Sequence, residues 1–216
     1  MTYTRTLLFK TNIGSHAWRM EHEGSDLDTF SFVLADTEDV LSGTADLGSR
    51  FIPGSGAGSE KVDEHVFELQ KAVPFIVSNN FNIIVASYAP MIFDLGYLDR
   101  WRTLTTACLS KNIYKSTNGL AVHNRRLAEK EEGYSRLKKL RTICRSLKFG
   151  ISILEGRGPV FEPVWEAGFD TVDLLTAHLN AAKDASALPD KCPAEAEAQL
   201  RRYVRNLRLM DFCGML

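Results

Sequence analysis

Two short stretches, Gly14-Ser15-His16-Ala17-Trp18 and Ser25-Asp26-Leu27-Asp28, decide how this chain is read. Before the first, Thr4 to Ile13 mixes β-branched and apolar residues and stops at Gly14, which predicts a strand ending in a tight turn. The second opens Leu27 to Leu34, where Asp28, Phe30, Phe32 and Leu34 share one strand face and Leu27, Thr29, Ser31 and Val33 the other. The spacer between them has room for one short helix. Asp26 and Asp28, two residues apart at the start of a strand, point to the same side.

Adjacent carboxylates repel unless a cation sits between them. Hard oxygen ligands of this kind suit Mg²⁺, which takes one or two protein carboxylates and completes its shell with phosphates and water. At Gly14 the missing Cβ lets backbone N–H groups approach a phosphate, and the Ser15 hydroxyl adds a donor. The order strand, Gly-Ser, short helix, Asp-x-Asp strand therefore describes a metal-triphosphate site, whereas an isolated Asp-x-Asp is more often a turn or a solvated strand edge.

Further along, Val62 to Phe67 is a third, polar strand. From Glu68 the period changes: Leu69, Val73 and Ile76 fall on one helical face, and Ser78-Asn79-Asn80 ends the run. Gly43 to Ser59 holds five glycines and reads as a long connection; no Gly-Lys-Ser/Thr follows, so it is not a phosphate loop. After Leu95 the pattern is helical over Tyr97–Leu109, Ile113–Lys130, Tyr134–Glu155, Phe169–Ala182 and Glu195–Leu209, the last with Pro193 just ahead. The expected architecture is α+β: a small mixed sheet over residues 1–92, followed by a helical half over residues 93–216.

Charge divides at the same place. The 216 residues carry 26 basic and 27 acidic side chains, a formal net charge of −1, which argues against a basic nucleic-acid coat or an acidic disordered tail. Residues 1–92 hold 6 basic and 12 acidic side chains, which leaves 20 and 15 for the remainder. An acidic half and a basic half cancel. In the helix from Tyr134, Leu137, Leu140, Cys144, Leu147, Ile151 and Leu154 form an apolar stripe. Lys138, Arg141, Arg145 and Lys148 repeat its steps one residue further round, a row able to clamp phosphates. The alternative for that row is a solvated face. Arg201, Arg202, Arg205 and Arg208 read better as a salt-bridged surface than as a nucleic-acid contact. His16 and His22 flank the motif and no metal role is expected of either, His65 and His123 have no partner at ligand spacing, and Ser15 lacks the GxSxG elbow of a hydrolase.

Four dispersed cysteines without a CxxC pair indicate reduced thiols. No leader is expected at the N-terminus. The most apolar stretch, Phe81–Leu98, is broken by Ser87, Pro90 and Asp94, so no membrane span is expected. The expected location is the cytoplasm, of the host where the gene is phage-borne.

Residues 14–28 (GSHAWRMEHEGSDLD) resemble the GS…SDxD signature of nucleotidyltransferases with the DNA polymerase β-type fold, and in particular their small bacterial and bacteriophage group. The likeness continues more faintly through residues 62–90, with a polar strand, an aromatic-Glu-aliphatic step and an amphipathic helix. It returns in residues 139–158, a basic helix followed by a Gly turn. In all it covers residues 5–92 and 134–158.

The resemblance implies two-metal nucleotidyl transfer with Asp26 and Asp28 holding Mg²⁺ (or Mn²⁺). It implies a third carboxylate on the next strand, from among Asp63, Glu64 and Glu68. Glu68 is favoured because it matches the aromatic-Glu-aliphatic step; otherwise its charge favours the start of a helix. Gly14, Ser15, Arg141 and Arg145 would hold the phosphates of an NTP, and an acceptor hydroxyl, on tRNA, other RNA, a protein or a small molecule, would receive the NMP. Two departures stand out. Trp18-Arg19 replaces the group's Tyr-Gly, and Thr142 stands where a histidine is expected. Trp18-Arg19 and the open choice of third acid leave room for a catalytically silent nucleotide- or RNA-binding module of the same fold; a third reading is a toxin-like enzyme that modifies tRNA or a protein hydroxyl and differs only in acceptor.

Overall fold

The computed structural model describes residues 5–45, 47–54 and 61–216. The first strand, β1 (Arg5–Ile13), runs directly into the four-residue helix α1 (Gly14–Ala17), and β2 (Leu27–Ala35) returns antiparallel to it. A short helix α2 (Thr37–Leu41) follows, opened by Asp36, whose carboxylate accepts from the backbone N–H groups of Glu38 and Asp39. Then come β3 (Arg50–Ile52), β4 (Val62–Glu68), α3 (Leu69–Val77), α4 (Phe81–Tyr88) and β5 (Met91–Asp94). The remainder is helical: α5 (Leu98–Ala107), α6 (Asn112–Ala128), α7 (Gly133–Leu154), α8 (Phe169–Ala185) and α9 (Ala194–Phe212).

The strands form one mixed sheet in the order β3-β4-β2-β1-β5, with β2 and β4 parallel and the other neighbours antiparallel. Its register sets the geometry of everything that follows. Ile13 lies opposite Asp28, and Asp28 lies opposite Asp63, so the end of β1 and two carboxylates form one row across three strands.

The α+β architecture with a helical second half is the expected one. Four elements were not read from the sequence. α2 is one short turn. β3 falls within the glycine-rich connection, whose residues 46 and 55–59 lie outside those described. α4 and β5 divide the apolar run from Phe81. In α4, Phe81, Ile83, Ile84, Val85, Ala86 and Ser87 are all buried, so no polar face marks a helical period, and its signal is the cap: Asn80 Oδ1 accepts from the N–H groups of Asn82 and Ile83 at 3.1 and 3.3 Å.

The boundary drawn after Ile92 falls inside β5, which pairs with β1. Phe9, Phe32 and Trp101 stack into one aromatic nucleus joining the sheet to α5, and the buried core continues from there through α7 to α9. α6 and α7 pack closely at Gly150, where an added Cβ would come within 2.8 Å of the Thr117 side chain. All four cysteines are free, and no helix among the described residues is long and apolar enough to cross a membrane.

Candidate active site

Gly14 closes β1 with φ +65°, a conformation that L side chains rarely adopt, and an added Cβ would stand 2.0 Å from Asp28 Oδ2. The glycine thus serves the turn and makes room for the carboxylate. Below it, the Ser15 carbonyl accepts from the N–H groups of Trp18 and Met20 at 3.1 and 3.0 Å, folding the chain back toward β2. The Ser25 hydroxyl accepts from His22 N–H at 2.9 Å and fixes the approach to Asp26.

Asp26, Asp28 and Asp63 collect at this end of the sheet. Lys61 Nζ donates to Asp26 Oδ2 at 3.0 Å and to Asp63 Oδ2 at 2.9 Å; Gly54 N–H donates to Asp63 Oδ1 at 2.9 Å. The Gly54 and Lys61 bonds hold the Asp63 carboxyl below the usual range, and the two carboxylates push the Lys61 ammonium up to about 12. Asp28 behaves oppositely. Burial raises its pKa, the charges of Asp63 and Asp26 raise it further, and His65 and Lys61 only partly offset them.

Facing these acids across a cleft of about 560 Å³ are Lys138, Arg141 and Arg145 of α7. Gly14, Ser15, Asp26, Asp28 and Asp63 line the opposite side, with Tyr134 and Trp165 at the lip. The acidic sheet and the basic helix are two walls of one cleft. Arg141 Nε donates to the Trp165 carbonyl at 2.8 Å, while Lys148 turns away to Glu162 at 3.3 Å. Arg145 rests over the Trp18 indole, 5.5 Å from the ring centre, and pairs with no acid or carbonyl among the described residues. Burial pushes its pKa down to about 10 although the nearby Asp28 charge pulls it up.

The favoured third acid, Glu68, is not here. Five residues separate it from Asp63 on β4, so it points to the opposite face, roughly 16 Å further along the strand. It is fully buried, accepts from Gln70 N–H at 2.7 Å and Lys71 N–H at 3.3 Å as the cap of α3, and pairs with Arg208 of α9 at 2.5 Å. The signal that finds Asp63 instead is face parity: on β4 it shares a side with His65 and Phe67, as Asp28 does on β2 with Phe30. Glu64 is occupied by Lys10 at 2.6 Å and Ser31 at 2.5 Å on the other face.

The departures from the family pattern also acquire physical meaning. Trp18 is buried against Phe149 and Phe161 and supports Arg145. Arg19 is exposed with φ 53°, the left-handed conformation suited to the glycine expected there, and does not line the cleft.

Among the described residues, no three His, Cys, Asp or Glu groups are gathered tightly enough to enclose a metal alone. The donor chemistry nevertheless fits a hard divalent cation that keeps water and phosphate ligands. The carboxylates Asp26, Asp28 and Asp63 would hold it, and such a cation would offset both the burial of Asp28 and the repulsion that Asp63 and Asp26 add.

A mixed sheet that sets a Gly-Ser turn beside an Asp-x-Asp strand has the arrangement of a polymerase β-type nucleotidyltransferase. The chain belongs to the RNA repair pathway DNA polymerase beta family (RlaP), whose family model matches residues 2–205. Among solved structures it is similar to a nucleotidyltransferase-like protein from Exiguobacterium sibiricum 255-15. The two are 11% identical with a TM-score of 0.30, over 96% of this chain and 73% of that one. No curated protein matches it.

Proposed function

We propose that this protein transfers a nucleoside monophosphate from an NTP to a hydroxyl of an RNA acceptor, releasing pyrophosphate. The observation that carries this reading is Arg145: a guanidinium without an anionic partner among the described residues, held by Trp18 across a cleft from three carboxylates. An arginine so placed is satisfied by a phosphate. RNA as the acceptor is supported by the family's description.

Arg145, Arg141 and Lys138 bind the triphosphate from one side, and Ser15 with the backbone at Gly14 from the other. The acceptor oxygen bonds to the α-phosphorus as the bond to the pyrophosphate oxygen breaks. One of the cleft carboxylates, Asp26, Asp28 or Asp63, takes the acceptor's proton. Asp26, Asp28 and Asp63 would hold a Mg²⁺ or Mn²⁺ ion, which when bound would supply neutralisation of the phosphate charge. The work left to the chain is positioning and charge complementarity.

The test is transfer of label from an α-labelled NTP to RNA with Mg²⁺. Asp28→Asn is expected to abolish transfer while leaving the unfolding midpoint nearly unchanged, because it removes a repelled charge at constant shape. Full activity in that variant overturns the reading.

One observation favours a second reading, a silent nucleotide-binding module: Lys61 already bridges Asp26 and Asp63 as a resident cation. Calorimetry with ATP separates the two, since a silent module binds equally well in EDTA and in Mg²⁺.

A further inference from the structure

Beside the carboxylate cleft lies a second and larger cavity, of about 780 Å³, that the phosphate chemistry does not use. Its floor is the sheet face that also carries Asp28 and Asp63. Following those strands inward, Phe30 of β2 and His65 of β4 lie nearly parallel, with ring centres 6.1 Å apart and 13° between planes. Phe67 stacks on Phe30 at 5.8 Å, and Phe51 of β3 leans on His65 at 4.9 Å. Phe75 of α3 closes one end edge-on to Phe67 at 5.6 Å. Phe51 and Phe75 remain 54% and 41% exposed, a large apolar exposure for rings beside a polar site.

The opposite wall is mixed, with Phe81, Ile83, Val85 and Leu120 beside polar groups. Asn82 of α4 and Asn124 of α6 line it, and the Asn124 amide spends one N–H on the Leu120 carbonyl at 3.0 Å, leaving its oxygen for another donor. Carboxamides present a donor and an acceptor side by side, the pattern borne by the edge of a nucleobase. The two cavities adjoin: Gly14, Thr142 and Arg145 line both.

We infer that this aromatic crevice is a binding site for an unpaired nucleobase, stacked along the Phe51–His65–Phe67 ledge and read at its edge by Asn82 and Asn124. The inference rests on the nucleotidyl-transfer reading only for the phosphates. A nucleotide joins a polyanion to a planar ring through one sugar, and the molecule joins a basic, carboxylate-lined cleft to an aromatic crevice through Arg145. Stacking on aromatic side chains tolerates every base, and the carboxamides supply discrimination. The base belongs either to the incoming NTP or to the end of the acceptor strand.

Binding measured by intrinsic tryptophan fluorescence, with Mg²⁺ present, tests this with two pairs of probes. The first pair is ATP against ribose 5-triphosphate. The second is a short RNA with an intact 3′ nucleotide against the same RNA ending in an abasic one. The base is expected to strengthen binding about tenfold in one pair, which identifies its source. Phe51→Ala and Phe75→Ala, at exposed positions that keep the fold, are expected to erase that gain and leave binding of the baseless probe unchanged. Equal binding within both pairs, or an undiminished gain in both variants, overturns the inference. Loss of ribose 5-triphosphate binding alone, with the base gain kept in RNA, removes the transfer reading and leaves the base site standing.

Discussion

Glu68 at the end of β4 and Arg208 of α9 form a buried ion pair of 2.5 Å, joining the first half of the chain to its last helix. Arg208 also donates to the Ala35 carbonyl at 2.7 Å, so it fastens the ends of β2 and β4 together. Removing one partner of such a pair strands the other charge in the interior. Arg208→Ala is expected to destabilise the protein by about 3 kcal/mol, read by denaturant unfolding. Glu68→Gln, which keeps the cap on Gln70 N–H, is expected to retain transfer activity at a temperature where it is folded. Loss of activity there with an intact fold would return Glu68 to the site.

Arg19 offers the opposite case. Its φ of 53° costs an L residue roughly 1–2 kcal/mol relative to glycine, partly offset by the larger freedom of an unfolded glycine. The side chain is exposed and does not line the cleft. Arg19→Gly is therefore expected to raise stability by about 0.5–1 kcal/mol, with NTP binding unchanged. A fall in NTP affinity would show that Arg19 reaches the phosphates after all.

Glu64 supplies a pH test independent of the site. Burial alone would raise its carboxyl, but Lys10 at 2.6 Å and the Ser31 hydroxyl at 2.5 Å hold it below the ordinary glutamate value. The unfolded chain then binds more protons than the folded one in this range, so stability rises with pH. The contribution is complete above the unfolded value near 4.5 and disappears as pH falls through the lowered folded value. Unfolding midpoints measured from pH 6 to pH 3 are expected to fall less steeply in Glu64→Gln than in the wild type. Parallel slopes would remove Glu64 from the acid sensitivity.

The sequence made the site's near half legible because the local order there is rigid: a strand, a turn that requires glycine, and a strand opened by Asp-x-Asp. The basic row on α7 was legible for a similar reason, since helical spacing forces Lys138, Arg141 and Arg145 onto one side. Asp63 was harder. Its place beside Asp28 follows from the parallel register of β2 and β4, set by side-chain packing across a long connection rather than by neighbouring residues. The aromatic-Glu-aliphatic step pointed to Glu68 because a cap residue and a catalytic acid are the same residue type, and only strand parity separates them. α4 escaped because burial on nearly every side removes the polar face from which a helical period is read.

Arg145 is where stability and function separate most clearly. Its guanidinium is penalised by burial and lacks an acid partner among the described residues, so it is a charge that those residues do not use to hold the fold together. Arg145→Met keeps the length that packs on Trp18 and removes the charge. It is expected to leave the unfolding midpoint unchanged or slightly higher, since the desolvation cost goes with the charge. Triphosphate binding should weaken by about tenfold or more, as a charge-assisted hydrogen bond in a sheltered cleft is lost. Arg145→Lys should recover only part of that affinity, because an ammonium cannot grip two phosphate oxygens through a fixed fork. Calorimetry with ATP and Mg²⁺ beside thermal unfolding of the same three proteins separates the effects. A destabilised Arg145→Met that binds ATP normally would make Arg145 a packing residue and take away the observation on which the phosphate site rests.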